Sequence, residues 1–249
     1  MLAYRALIFD LDGTLLRNDK QLSPYTVEIL EKCREKGFFL MLATARPIRN
    51  VGEYLGKIRF DDMTVSNGGR LFIGEKTFDI PIEKKTAKAI LEQLDQSLPL
   101  TFETGDVSYA NLPFPEYETV FAEDLPSLAE KFPCVKIILH YKNAEQFAEI
   151  KKILPESCTA TVTNDRLIQI MNREATKWLG IEKMLAAANI LKEEAVYFGD
   201  HHDDVEALRK CGLGIAPGNA IDEAKAAADI VVLSNEEDGP ARFLAERFL

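Results

Sequence analysis

The sequence predicts an α/β protein, a doubly wound parallel sheet interrupted by an inserted α+β segment. Three observations predict it. Short uncharged apolar runs recur at Ala6–Phe9, Phe38–Ala43 and Ala195–Phe198, each ending at a polar or acidic residue. Each is too short for a helix and reads as a strand buried on both faces. Helical patterns follow these runs, which is the alternation of a parallel sheet. From about 82 to 171 that alternation gives way to a different pattern. The predicted domains are therefore 1–81 with 172–249 as the parallel core, and 82–171 as the insertion.

In chain order, Ala6–Phe9 leads into Asp10, Asp12, Gly13 and Thr14. Ser23-Pro24 starts a helix, with a capping serine before proline at the first helical position. Val27, Leu30 and Cys33 form its apolar stripe and Gly37 stops it. Phe38–Ala43 ends in Thr44-Ala45-Arg46-Pro47, after which a further helix is predicted. Met63–Ser66 is a third strand, closed by Asn67-Gly68-Gly69, and a hairpin is predicted around Gly74-Glu75-Lys76. In the insertion, Ala87, Ile90, Leu91 and Leu94 mark a helix. Strand pairs are predicted around Gly105-Asp106 and Asn164-Asp165, with an irregular loop at 111–118. Val135–Tyr141 is a β-branched strand, and Asn143 caps a helix carrying Phe147 and Ile150. The core resumes with a helix over 174–189, a strand ending at Asp200, and further strands at 212–216 and 230–233 among helices.

The chain has 249 residues, 47% hydrophobic and 28% charged, with net charge −10. The composition is that of a globular protein with a sizeable core. The acidic balance argues against nucleic acid and anionic membrane as partners. It leaves room for an anionic small molecule, because a metal and local cations override the global sign. No apolar run reaches membrane-spanning length and no signal-peptide pattern opens the chain, so a cytoplasmic location is expected. Cys33, Cys134, Cys158 and Cys211 are scattered without Cys-x-x-Cys spacing and read as core or loop residues. Oligomeric state is not legible.

Chemistry concentrates at three strand ends. Residues two apart on a strand point the same way, so Asp10 and Asp12 face one small site. Gly13 permits the sharp exit from the strand. Parallel strands end on one edge of the sheet, where open α/β sheets bind ligands. Asp200, Asp203 and Asp204 arrive at the same edge. Such an aspartate cluster repels itself without a cation, and its oxygen donors select a hard divalent ion, most simply Mg²⁺. Thr44, with the amides of Ala45 and Arg46, is a candidate phosphate-binding group, the alternative being a plain helix cap. Lys177 is a candidate local cation, the alternative being a solvated surface lysine. His201 and His202 read as exposed loop residues.

These motifs resemble those of the haloacid dehalogenase-like superfamily, in the expected order and across essentially the whole chain. Asp10-Leu-Asp12-Gly-Thr-Leu resembles its first motif and Ala43-Thr44-Ala45-Arg46 its second, with Ala45 where glycine is usual. Lys177 resembles the third-motif lysine, with Trp178 where glycine is frequent. Gly199-Asp200-x-x-Asp203-Asp204 resembles the fourth, with Asp203 where asparagine is common. Ser66-Asn67-Gly68-Gly69 and Ile215–Ala220 resemble further signatures of the Cof-type (IIB) phosphatases, and the insertion has the position of their cap.

The resemblance implies a Rossmann-type core with a specificity cap. It also implies a Mg²⁺-dependent phosphatase of small phosphorylated metabolites, either sugar phosphates or phosphorylated cofactors. Asp10 would be the nucleophile forming an aspartyl phosphate, and Asp12 the acid and base. Metal ligands would be Asp10, the Asp12 carbonyl and Asp200, with Asp204 as a ligand or its support. Thr44 and Lys177 would hold phosphate oxygens, and Asp203, replacing an amide, would alter that region's charge. The alternatives are a phosphotransferase or phosphomutase of the same fold, and a non-catalytic phosphometabolite-binding regulator. The cap is expected to move about hinges near Pro81–Ile82 and Met171–Asn172. Loops at 105–109 and 111–118 are candidate substrate contacts.

Overall fold

The computed structural model describes residues 4–115, 118–163 and 165–249. The predicted turn residue Asn164, and residues 116 and 117 of the predicted 111–118 loop, lie outside them. The chain divides into two compact units, one made of residues up to Thr77 with Thr176–Leu249, the other of Phe78–Ala175.

The first unit begins with β1 (Ala6–Phe9), α1 (Pro24–Glu35), β2 (Phe39–Ala43), α2 (Gly52–Leu55), β3 (Asp62–Val65) and β4 (Arg70–Ile73). β5 (Lys76–Asp79) carries the chain out of it. The second unit contains α3 (Lys84–Gln93), β6 (Leu100–Glu103), β7 (Ser108–Ala110), β8 (Val120–Phe121) and α4 (Leu125–Lys131). It continues with β9 (Lys136–His140), α5 (Ala144–Ile153), β10 (Cys158–Thr163) and β11 (Leu167–Asn172). The chain then returns through α6 (Lys177–Ala187), β12 (Ala195–Phe198), α7 (Val205–Lys210) and β13 (Leu213–Pro217). It ends with α8 (Asp222–Ala227), β14 (Ile230–Val232) and α9 (Gly239–Phe248).

The first sheet has the order β14-β13-β12-β1-β2-β3-β4-β5. From β14 to β3 every pairing is parallel, and β4 joins β3 antiparallel. Alternation along β1 explains the double winding. Leu7 and Phe9 pack with Ile29, Leu30 and Cys33 of α1 and Leu244 of α9. Ala6 and Ile8 pack on the opposite side with Trp178, Ile181 and Met184 of α6 and Leu208 of α7. A strand with both faces covered must be apolar at every position, which is why Ala6–Phe9 shows no alternation. The chain leaves β1 toward β2 and later returns to β12 on its other side. The junction of β1 and β12 is thus the switch point of the sheet, the usual place for a ligand.

Local chemistry fixes the element ends. The Ser23 hydroxyl accepts from the Thr26 amide at the start of α1. α6 begins at Lys177 and not at Glu174, because Thr176 caps it by accepting from the Leu179 amide. After Pro47 the predicted helix is two short turns, Ile48–Asn50 and α2.

In the second unit the sheet order is β10-β11-β9-β6-β7-β8, antiparallel except for β7 with β8. Leu100, Phe102, Ile137, Leu139 and Ile168 pack with Ile90 of α3, Leu125 of α4 and Ile150 of α5. Alternation therefore gives the helix-free face Thr101, Glu103, Ser108, Lys136, Gln169 and Met171.

Candidate active site

Asp10 follows β1 directly and its amide donates to the Phe198 carbonyl at 2.9 Å, so the ladder with β12 continues to the site. Its side chain is 7% exposed, a state that demands a partner. That partner is Lys177, the first residue of α6, whose Nζ donates to Asp10 Oδ1 at 2.8 Å and to Asp204 Oδ1 at 2.7 Å. Asp203 Oδ2 lies 3.3 Å from the same nitrogen. Lys177 is buried, so the solvated-lysine alternative does not describe it.

The backbone explains how Lys177 reaches this position. Asn67 and Gly68 have φ of 53° and 89°. A Cβ on Gly68 would stand 2.2 Å from the Thr176 carbonyl oxygen. Only glycine lets this turn approach the residue that caps α6. Gly13, with φ of 75°, meets a similar demand, since its Cβ would fall 2.3 Å from Asp200 Oδ2. Asn219 supports the same loop by donating to the Gly13 carbonyl at 2.7 Å.

Asp204 is fully buried and its carboxylate accepts four hydrogen bonds. Lys177 Nζ and the Tyr197 hydroxyl (2.5 Å) reach Oδ1; the amides of Asp200 and His201, each at 2.9 Å, reach Oδ2. Four acceptances use the whole capacity of a carboxylate. Asp200 Oδ1 accepts from the Thr14 hydroxyl at 2.9 Å. Among the described residues, Oδ2 of Asp10 and Oδ2 of Asp200 accept no hydrogen bond.

Lys177 meets three of the site's four aspartates, and the excess negative charge shows in their ionisation. Burial pushes Asp10 well above the usual carboxylate range; Lys177 opposes this, while Asp204, Asp200 and Asp203 add to it. Burial, then Asp204, pushes Asp200 up to about 7 against the pull of Thr14 and Lys177. Burial disfavours the Lys177 charge, but Asp10, Asp203 and Asp204 outweigh it and hold its pKa above the ordinary value. Asp203 is raised by burial, yet Lys177 and His201 leave it below its ordinary value. Asp10, Asp200 and Asp204 each bring an oxygen within 4.8 Å of the others. An all-oxygen set with surplus negative charge and two open oxygens fits a hard divalent cation.

Asp12 is placed differently. Its carboxylate is forked by Arg46, Nε to Oδ2 at 2.6 Å and Nη2 to Oδ1 at 2.9 Å, and Lys20 Nζ reaches Oδ1 at 2.8 Å. Burial raises Asp12, but the hydrogen bonds from Arg46 and Lys20 prevail, and it is lowered to about 2. Thr44 is buried at the end of β2, where its hydroxyl accepts from the Arg46 amide at 3.2 Å. This is a local turn and not a helix cap, since the next helical turn, Ile48–Asn50, is capped at Pro47 without a side-chain hydrogen bond; the Arg46 side chain points its guanidinium at Asp12. His201 is half-buried; His202 is exposed and pairs with Glu223 at 2.6 Å.

Thr14, Lys20, Tyr54, Tyr197 and Asn219 also serve the site and were not singled out as candidates from the sequence. Thr14 had a signal, standing inside Asp-Gly-Thr. Tyr197 sits in an apolar strand whose pattern hides its hydroxyl. Lys20 and Tyr54 meet Asp12 and Arg46 only through folding.

The arrangement defines an α/β enzyme with an acidic, lysine-neutralised site at its sheet switch point. More particularly, a model of the haloacid dehalogenase-like hydrolase family matches residues 7–244, and the chain belongs to that family. It is 24% identical over 271 residues to a 5-amino-6-(5-phospho-D-ribitylamino)uracil phosphatase of Bacillus subtilis, covering 97% of each chain. It is 26% identical over 266 residues to the pyridoxal phosphate phosphatase of Escherichia coli, covering 96% of this chain and 97% of that one. Its structure is similar to that of a HAD subclass IIB sugar phosphatase, with TM-score 0.81 and 25% identity over 97% of this chain and 98% of the other. A Thermotoga maritima protein gives TM-score 0.86 at 25% identity over 99% and 98%. Among the described residues, no helix is long and apolar enough to cross a membrane.

Proposed function

We propose that this hydrolase is a Mg²⁺-dependent phosphatase of small phosphorylated metabolites acting through an aspartyl phosphate on Asp10. The observation that carries the reading is the buried Asp10 carboxylate, held by Lys177 at 2.8 Å with its second oxygen open. Burial and the neighbouring aspartates favour the neutral form of Asp10, against Lys177, so a bound cation would be what holds it as the anion. As the anion it needs no base to act as a nucleophile, and its difficulty is repulsion from an anionic phosphoryl group. Lys177 and the Thr44 region offset that repulsion. Asp10 and Asp200 would hold the ion, with the Asp12 carbonyl as the further oxygen that the family resemblance implies, and it would supply charge neutralisation for the phosphoryl oxygens. Asp204, with all four acceptor sites used, anchors Lys177 and the Asp200–His201 backbone.

In the first step an Asp10 oxygen bonds to phosphorus, the bond to the leaving oxygen breaks, and that oxygen takes a proton from Asp12, whose carboxyl form is favoured only once the anionic phosphoryl group counters the pull of Arg46 and Lys20 that otherwise lowers it to about 2. In the second, water gives a proton to Asp12 and bonds to phosphorus, the Asp10–phosphorus bond breaks, and inorganic phosphate leaves. The Bacillus subtilis, Escherichia coli and subclass IIB relatives named above are phosphatases of 5-amino-6-(5-phospho-D-ribitylamino)uracil, pyridoxal phosphate and sugars. That range supports a small phosphate ester as substrate, with the second unit setting the choice.

Phosphate release from sugar phosphates, pyridoxal phosphate, flavin mononucleotide and nucleotides tests the reading. It is measured with Mg²⁺ and with chelator, for wild type and Asp10→Asn. Release that requires both Mg²⁺ and Asp10 is the expected result. Release that survives Asp10→Asn at near wild-type rate removes the covalent route.

A further inference from the structure

We propose that Arg46 is a positioning residue for Asp12: it fixes the acid–base carboxylate toward the leaving group and does not bind the phosphoryl group. The inference rests on the assignment of Asp12 as acid and base. All of its geometry lies in the first unit. The guanidinium makes the two-pronged contact that only arginine offers a carboxylate, Nε to Oδ2 at 2.6 Å and Nη2 to Oδ1 at 2.9 Å. Its remaining edge is also committed. Nη1 donates to the Asn50 carbonyl at 3.2 Å and contacts the Tyr54 hydroxyl at 3.1 Å. That hydroxyl donates to the Lys20 carbonyl at 3.1 Å, and the guanidinium carbon lies 5.2 Å from the Tyr54 ring centre. Tyr54 is itself fully buried.

The fork, its backing ring and Lys20 form a closed set: Tyr54 fixes Lys20 and Arg46, and both hold Asp12. Among the described residues, Arg46 and Lys20 are the side chains that hold the Asp12 carboxylate. Its carboxylate is 38% exposed and lies outside the Asp10–Asp200–Asp204 group. A free carboxylate on a turn samples several rotamers, whereas proton transfer needs one geometry. An arginine with its donors spent on Asp12, Asn50 and Tyr54 has little left for a phosphoryl oxygen.

Leaving-group dependence tests this. A hexose 6-phosphate expels an alkoxide that needs a proton, while p-nitrophenyl phosphate expels an anion that does not. Positioned acid–base catalysis contributes roughly 10²–10⁴-fold. Arg46→Ala is expected to lower kcat on the hexose phosphate by about 10–100-fold, while p-nitrophenyl phosphate changes by less than about 3-fold. Arg46→Lys, which keeps the charge and gives up the fork, is expected to recover only part of the loss. Asp12→Asn should show the same leaving-group split, more strongly. Equal losses on both esters with raised KM would assign Arg46 to the phosphoryl group and overturn the proposal, as would no loss on either. If Asp12→Asn itself shows no split, the acid–base assignment of Asp12 is what fails. If Asp12→Asn shows it and Arg46→Ala does not, only the positioning role fails.

Discussion

Lys177→Met removes the buried cation that meets Asp10, Asp203 and Asp204 and keeps a side chain of similar length. In the wild type, Lys177 Nζ lies within 3.3 Å of Asp10, Asp203 and Asp204, and both it and Asp204 are buried. Removing one partner of such a buried group leaves uncompensated charge and costs about 3–5 kcal/mol. The cost is pH-dependent, and its sign follows from the carboxylates. Asp10 and Asp200 have raised folded-state values, so their contribution is fully present below their unfolded values, near 4, and is lost as pH rises through the folded ones. Without Lys177 those values rise further, and the deficit of the variant is largest at pH 8 and smaller at pH 5. The chain contains one tryptophan, Trp178, buried beside Lys177 in the first unit. Its fluorescence reports urea unfolding of that unit, measured on metal-free protein at both pH values. A deficit below about 1 kcal/mol at pH 8, a value ordinary for an exposed pair, would refute the account of Lys177 as the keystone of the cluster. So would a deficit equal at the two pH values.

Four further outcomes follow from the same geometry. Metal-free wild type should lose stability as pH rises from about 4 to about 7, the window between the unfolded carboxylate value and that of Asp200. The protection given by Mg²⁺, read as a Tm shift, should therefore be larger at pH 8 than at pH 5; a pH-independent shift would place the ion elsewhere. Gly68→Ala forces a Cβ into the Thr176 carbonyl at a φ of 89° and should displace Lys177. A loss of at least about 2 kcal/mol and of most activity is expected from unfolding and phosphate-release assays. Tyr197→Phe removes a donor at 2.5 Å from Asp204 Oδ1 and should cost about 1–3 kcal/mol in urea unfolding, with little change in KM.

Much of the site is legible in the sequence because it is built from strand ends. Asp10, Thr44 and Asp200 each close an apolar run, and a parallel sheet carries such ends to one edge without further information. Lys177 is legible only as a charge opening a helix; its burial depends on the Gly68 turn meeting Thr176, a contact more than 100 residues apart in the chain. The partner of Arg46 is not legible for the same reason. Beside Thr44 it reads as part of a phosphate loop, and only the fold shows Asp12 in its fork. Tyr197 is hidden because a buried strand accepts tyrosine for its ring alone. In the second unit the helical stripe of Ala87, Ile90 and Leu91 and the cap Asn143 are plain in sequence. The parallel partner β8 is not, since two residues carry no period.

The most direct test of the central claim is to ask whether phosphate passes through Asp10. Wild type in excess over a turned-over substrate, with Mg²⁺, is acid-quenched across the first turnover, and the peptide carrying Asp10 is weighed. The account predicts one phosphoryl group appearing on that peptide and disappearing as inorganic phosphate is released, with no turnover in Asp10→Ala. Phosphate release by Asp10→Ala near the wild-type rate, with no phosphoryl group on the wild-type peptide at any time, would contradict it.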